Sequence, residues 1–84
     1  MATNIFVGNL PFTTTSDNLE TMFAPYGTVS RAQVITDRDT GRSRGFGFVE
    51  MDDDAEAQAA IEALDGSDMD GRQVRVNVAR ERSR

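Results

Sequence analysis

Valines occupy every second position of residues 73–79, near the C-terminal end of the chain, and residues 4–8 form a short, mostly apolar stretch near the other end. Successive side chains of a β-strand point to opposite faces, so the alternation predicts a strand that buries its valines, and the apolar stretch predicts a second short strand. The residues that we expect in the core are Ile5, Val7, Val74, Val76 and Val78.

Two further stretches have apolar residues at the three- and four-residue spacing of an amphipathic helix. The first follows Thr14 and Thr15, either of which can cap a helix, and ends at Gly27. The second follows the carboxylates of residues 52–54, which favour a helix N-terminus, and stops before Gly66. The apolar positions are Leu19, Met22, Phe23 and Tyr26 in the first helix and Ala57, Ala60, Ile61 and Leu64 in the second.

Between the helices the sequence predicts two more strands, residues 28–36 and residues 44–51, joined by a polar loop. In the earlier strand the core candidates are Val29, Ala32 and Val34. The predicted order is strand, helix, strand, strand, helix, strand. This order is typical of the α+β split βαβ fold, a ferredoxin-like sandwich in which two helices cover one face of a four-stranded antiparallel sheet. The other face of the sheet is then open to water.

The third predicted strand has two faces of different chemistry. One face carries Gly45, Gly47, Val49 and Met51, and the other carries Arg44, Phe46, Phe48 and Glu50. Because the charged residues belong in water, we expect both phenylalanines on the open face; the reversed orientation would bury two charges, at several kcal/mol each. Phe6 joins them if Ile5 and Val7 point inward. On the covered face we expect a helix to pack too closely against the two glycines for larger side chains.

Charge is unevenly distributed along a chain whose net charge is −5. Residues 52–70 contain acidic residues and no basic one, whereas residues 71–84 are rich in arginine, with Glu81 as their one acidic residue. All nine basic residues are arginine, which grips phosphates with a planar fork and stacks on flat rings. A local composition bias accounts for the arginines equally well, and the acidic total disfavours a general polyanion binder.

The residue types that are missing narrow the possible functions. The chain has no cysteine and no histidine, so it lacks thiolate nucleophiles, the usual general base and the commonest metal ligands. A calcium loop over the acidic residues near Gly71 fails, because its end ligands would be Gly66 and Asn77. The N-terminus does not resemble a signal peptide and no apolar run is long enough to span a membrane. We therefore expect a cytoplasmic protein that is not an enzyme and needs no metal or cofactor.

Exposed aromatic rings beside arginines suit a flat, negatively charged polymer. An open apolar patch on a small protein generally marks a binding surface. Single-stranded nucleic acid stacks its bases on such rings and places its phosphates near guanidinium groups. The sequence therefore predicts binding of single-stranded RNA, or of single-stranded DNA, on the open face of the sheet.

Two segments of the chain resemble the signatures of the RNA recognition motif family. Residues 44–51 are similar to its RNP1 octamer and residues 5–10 to its RNP2 hexamer, and both lie on the expected strands. Within the family, the likeness is greatest to small bacterial and cyanobacterial RNA-binding proteins with a single motif. The one departure is Met51, where the pattern has Phe or Tyr; its parity points to the core, so we expect it to alter packing and leave the RNA surface intact.

The resemblance implies the spatial strand order 4-1-3-2, a motif domain over residues 1–80 and a short arginine-rich tail over residues 81–84. It also implies that three phenylalanines carry the stacking, that Arg44 meets a phosphate and that other residues read base edges. The implied RNA-binding residues are Asn4, Phe6, Gln33, Arg42, Arg44, Phe46, Phe48, Arg75, Asn77, Ala79 and Arg80.

Two other functions compete with RNA binding. Some members of this family hold a peptide on the helical face, and the acidic second helix offers a surface for a protein partner. An acylphosphatase-like enzyme has the same topology, but it needs a phosphate-cradling loop after the first strand, and residues 9–13 offer neither glycine nor arginine there. We expect a monomer that handles RNA after transcription or in the cold.

Overall fold

The computed structural model describes residues 3–79 as a four-stranded sheet with two helices and a small hairpin. Arg80 and the predicted tail lie outside the described residues. In chain order the elements are β1 (Thr3–Gly8), α1 (Ser16–Phe23), a 3-10 turn (Ala24–Tyr26), β2 (Val29–Thr36), β3 (Ser43–Met51), α2 (Asp54–Leu64), β4 (Asp68–Met69), β5 (Arg72–Gln73) and β6 (Arg75–Val78).

The sheet is antiparallel, with the strand order β2-β3-β1-β6. This is the predicted 4-1-3-2 order read from the other edge, with β6 as the fourth main strand. The two signature segments therefore form the central pair, in which Phe6 lies opposite Phe48 and Gly8 opposite Phe46. The α+β fold and its topology are confirmed.

Both helices begin at side-chain caps. Thr15, and not Thr14, is the N-cap of α1: its hydroxyl accepts from the Asn18 amide at 3.1 Å, and the Asn18 side chain accepts from the Thr15 amide at 2.9 Å. Asp53 caps α2, because one carboxylate oxygen accepts from the amides of Ala55 and Glu56 at 2.8 and 3.1 Å. Each cap satisfies N–H groups that have no partner within the helix.

The core lies between the helices and one face of the sheet. Met51 is fully buried there, so the predicted departure from the family pattern does fall on the packing side. One core prediction is wrong: Val78 is 46% exposed, because it is the last residue of an edge strand. The buried apolar residues are Ile5, Val7, Leu10, Leu19, Phe23, Val34, Val49, Met51, Ala57, Ala60, Ile61, Val74 and Val76.

The prediction that a helix packs too closely against the two β3 glycines for larger side chains is confirmed only in part, at Gly47. A Cβ on Gly47 would lie 2.4 Å from the Gln33 carbonyl oxygen and 3.0 Å from Leu19 Cδ1, so the neighbouring strand limits the space more than α1 does. Gly45 has φ +85°, in the left-handed region that favours glycine, and it faces the loop after β1. Gly47 is thus needed for lack of space, whereas Gly45 is needed for its backbone conformation.

The hairpin β4–β5 was not predicted from the sequence. It occupies part of the acidic loop and takes Gln73 out of the predicted final strand, so that β6 begins at Arg75. Val74 joins the hairpin to β6 and is fully buried. Over residues 3–79, neither helix is long and apolar enough to cross a membrane.

Candidate nucleic-acid interface

Three phenylalanine rings form one cluster on the open face of the sheet. The centroids of Phe6 and Phe46 are 5.9 Å apart, those of Phe6 and Phe48 are 5.9 Å apart, and those of Phe46 and Phe48 are 6.1 Å apart. The interplanar angles of 32°, 65° and 89° are in the range that aromatic pairs prefer. Phe48 is 37% exposed and the other two rings are half-buried, so the three form a shared aromatic surface.

The strand register places polar side chains on both sides of this cluster. Gln33 lies opposite Phe48 on β2, and Asn77 lies opposite Phe6 on β6. Both polar residues are exposed. One row across the open face therefore consists of a side-chain amide, two aromatic rings and a second side-chain amide. The two amides supply hydrogen-bond donors and acceptors at either edge of the stacking surface.

A second row contains Phe46, Gly8 and Arg75, which lie opposite one another on β3, β1 and β6. The Phe6 ring lies over Gly8: a Cβ on that glycine would be 2.7 Å from Phe6 Cε2. The absence of a side chain thus lets the ring lie along the sheet towards Phe46. Gly8 therefore shapes the aromatic surface, because it leaves room for the Phe6 ring, although it has no side chain that could contact a ligand.

The remaining predicted residues lie around the aromatic cluster. Asn4 is exposed and lies opposite Glu50, and its carbonyl accepts from the Ala79 amide at 2.9 Å, which fixes the half-buried Ala79 at the end of β6. Glu50 is half-buried and also lies opposite Arg31. Arg80, the last predicted RNA-binding residue, is outside the described part of the chain.

Arg42 and Arg44 are exposed at the opposite end of β3, where the β2–β3 loop meets the sheet. Asp37 orders this loop: its carboxylate accepts from the amides of Asp39 and Thr40 at 2.8 and 3.3 Å, and its own amide donates to the Arg42 carbonyl at 2.7 Å. A closed turn therefore places both arginines at the end of β3 that carries Phe46.

Two apolar residues at this surface were missed by the sequence analysis. Ile35 shares the parity of Arg31 and Gln33 on β2. Because Ala32 and Val34 were predicted to point into the core, alternation along the strand could have assigned Ile35 to the open face. Phe12 is 67% exposed in the loop between β1 and α1. Loop residues follow no periodic pattern, so the one signal for Phe12 was its chemical type, an aromatic residue next to a run of threonines.

The charges are unevenly distributed between the two sides of the molecule. Exposed arginines lie on the open face and at its rim together with the half-buried Glu50, whereas α2 and its cap carry exposed carboxylates and no arginine on the side that faces away. Among residues 3–79, no group of three or more His, Cys, Asp or Glu residues is placed to hold a metal ion. The arrangement can bind flat anionic ligands through stacking, hydrogen bonding and a few cationic contacts.

Comparison with known proteins agrees with this geometry. The RbpA protein of the cyanobacterium Nostoc sp. is 57% identical over 79 residues, which cover 94% of this chain and 78% of that protein. The crystal structure of RNA Binding Protein PG1 has a TM-score of 0.91 and 49% identity, covering 98% of this chain and 99% of that one. The Sxl-Lethal protein/RNA complex has a TM-score of 0.86 and 40% identity over 92% of this chain and 47% of that one.

The sequence model of the RNA recognition motif matches residues 5–75, a range that includes both signature segments, both helices, β2 and β3, and ends at the first residue of β6. With the sheet order, the central pairing of the signatures and the three clustered rings, this match establishes that the chain belongs to the RNA recognition motif family.

Proposed function

We propose that the chain binds single-stranded RNA on the open face of its sheet, by stacking bases on Phe6, Phe46 and Phe48. The observation that carries this proposal is the mutual contact of the three rings, with all centroids within 6.1 Å, on a face that neither helix covers. A monomer of this size gains little stability from leaving aromatic surface open to water, so a binding role accounts for it better. RNA-binding relatives and a solved RNA complex of a similar domain support the proposal.

The polar residues around the rings would supply orientation and modest base selectivity. Gln33 and Asn77 can each donate and accept, which suits the Watson–Crick edge of an unpaired base. Arg44 and Arg42 would contact phosphates at one end of the cluster and Arg75 at the β6 side, while Asn4 and Ala79 would border the other end. Stacking accepts every base, so binding would be sequence-tolerant or modestly selective.

The same proposal covers the setting in which the chain acts. Residues 1–80 would be the binding domain, with residues 81–84 as a short arginine-rich extension of it. The domain would perform no reaction, act as a cytoplasmic monomer and take part in handling RNA after transcription. Single-stranded DNA has the same bases and phosphates, so it would compete for the surface, and only contacts to the 2′-hydroxyl would favour RNA.

The direct test removes two rings. In Phe46→Ala/Phe48→Ala, two stacking contacts at about 1–3 kcal/mol each are lost, so affinity for a fluorescein-labelled ten-nucleotide oligouridylate should fall by about 25-fold or more. Fluorescence anisotropy measures the change. The melting temperature should show a folded protein, because the core lies on the other face of the sheet.

Two single variants separate stacking from simple apolar contact. Phe48→Tyr keeps a flat ring and should bind nearly as well as the original chain. Phe48→Leu keeps apolar area without a ring face and should bind more weakly. Unchanged affinity in the double variant would contradict the proposal and favour the rival interpretation, a protein partner on the helical face.

A further inference from the structure

A cleft of about 720 Å³ lies at the end of the sheet where β3 begins. It is formed by the loop that follows β1 and the loop that joins β2 to β3. The side chains that matter for its chemistry are Phe12, Asp37, Thr40, Arg42 and Arg44. Neither Phe12 nor the cleft is accounted for by the stacking surface described above.

Phe12 is held at the cleft by contacts to parts of the chain that are distant in sequence. Its ring lies 3.4 Å from the position that a Cβ on Gly45 would take, and the Arg72 guanidinium carbon lies over the ring, 5.8 Å from its centroid. Asn9 in turn fixes the hairpin: its amide nitrogen donates to the Gln73 carbonyl at 2.7 Å, and its amide oxygen accepts from Arg72 at 3.1 Å. Contacts with Arg72 and Gly45 thus fix the orientation of the Phe12 ring, and the side chain is nonetheless 67% exposed.

The charges around this ring favour an anionic ligand. Arg42 and Arg44 line the cleft and Arg72 lies over the ring, whereas the one carboxylate in the lining, Asp37, is already engaged by two backbone amides. A cation over one face of an aromatic ring holds it in place through the ring quadrupole and leaves the other face for a flat partner. A nucleotide combines the two properties that this site favours in a ligand, a flat ring and a negative charge.

The cleft adjoins β3, the strand that carries two of the three rings. Gly45, which touches the Phe12 ring, separates Arg44 from Phe46 in β3, and its carbonyl accepts from the Leu10 amide at 2.8 Å. A strand of RNA that leaves the sheet at Phe46 therefore reaches Arg44 and then the cleft without crossing other side chains of β3.

We propose that Phe12 is a fourth base-stacking position, which takes the nucleotide that follows those on the sheet, with Arg42 near its phosphate. This proposal rests on the proposed function and extends the binding surface from the sheet to the loops at its end. It predicts that Phe12 matters for long RNA and not for RNA that covers the sheet alone.

The test uses RNA length and a tryptophan reporter. Phe12→Ala should bind the ten-nucleotide oligouridylate about 5-fold to 100-fold more weakly than the original chain, and a three-nucleotide oligouridylate within about two-fold of it. Because the chain has no tryptophan, Phe12→Trp introduces a single indole, and its emission under excitation that tyrosine does not absorb should be quenched when the ten-nucleotide RNA binds. Ala59→Trp, on the exposed side of α2, is the matched control and should not be quenched.

The outcomes separate this proposal from the function on which it rests. If Phe46→Ala/Phe48→Ala weakens binding while Phe12→Ala does not and Phe12→Trp is not quenched, the fourth position is overturned and the sheet surface stands. An equal loss on both RNA lengths also overturns it, because Phe12 would then act through the sheet or the fold. Unchanged affinity in the double ring variant overturns both proposals.

Discussion

Gly8 on β1 and Gly47 on β3 lie close together in the two central strands of the sheet. A side chain added at Gly8 would point to the open face, whereas one added at Gly47 would point to the covered face. At Gly8 the space is taken by the Phe6 ring, at 2.7 Å from where a Cβ would lie. At Gly47 it is taken by the backbone of β2, at 2.4 Å. A ring can rotate away from an added methyl group, whereas a paired strand can move only by breaking its ladder. The same substitution should therefore affect binding at one position and stability at the other.

We predict that Gly47→Ala lowers the free energy of unfolding by about 1–3 kcal/mol, the usual effect of overpacking. Gly8→Ala should stay within about 1 kcal/mol of the original chain, because the backbone there does not have positive φ. It should nonetheless weaken RNA binding, because the displaced Phe6 ring no longer lies along the sheet. Urea unfolding and anisotropy titrations on both variants check this, and equal stability losses would contradict it.

At the scale of elements, the helices position the site only indirectly, by covering the far face of the sheet. The buried residues of α2 are Ala57, Ala60 and Ile61, two of which have small side chains, so packing stabilises this helix modestly and its cap contributes a larger share. The Asp53 carboxylate satisfies two amides at the start of this helix. The neighbouring Asp52 has the same charge and is also exposed, which makes it a matched control.

Asp53→Ala should lower the free energy of unfolding by about 1 kcal/mol through the loss of the cap, while Asp52→Ala should change it by only a few tenths. Thermal or urea unfolding measures both. RNA affinity should be unchanged in either variant, since α2 lies on the side opposite the rings. A similar loss in both variants would show that general negative charge, and not the cap geometry, stabilises the helix start.

At the scale of the whole molecule, an acidic protein offers its ligand a local surface of arginines. The net charge is −5, but exposed arginines such as Arg31, Arg42, Arg44 and Arg75 lie on or around the open face, away from the carboxylates of α2. Few phosphates can be neutralised at once, so stacking should supply most of the affinity.

The salt dependence of RNA binding should accordingly be shallow. We predict a slope of log K against log salt concentration that corresponds to about two to four released ions. Arg44→Met should reduce the magnitude of that slope by about 0.7, the share of one phosphate contact on a single strand. Titrations at several salt concentrations measure both values, and a slope near ten would contradict a surface dominated by stacking.

Much of the fold and of the main site was predictable because the relevant signals are local. Alternation along β3, with Arg44 and Glu50 needing water, indicated which way Phe46 and Phe48 point. The predictions that failed depend on position within the sheet: Val78 has the parity of a core residue, but the end of an edge strand leaves it exposed. The β4–β5 hairpin was missed because two-residue strands have no periodicity to detect.

The sequence by itself determined the order of the two helices and four main strands, the faces of the alternating residues in β3 and the aromatic character of the open face, since these follow from spacing along a few residues. Only the tertiary structure decided that the Phe6 ring lies over Gly8, that Gly45 adopts a positive φ beside the β1–α1 loop, and that Asn9 joins that loop to Arg72 across 63 positions of chain. Contacts between distant segments have no local pattern, because they exist only once the sheet has brought those segments together.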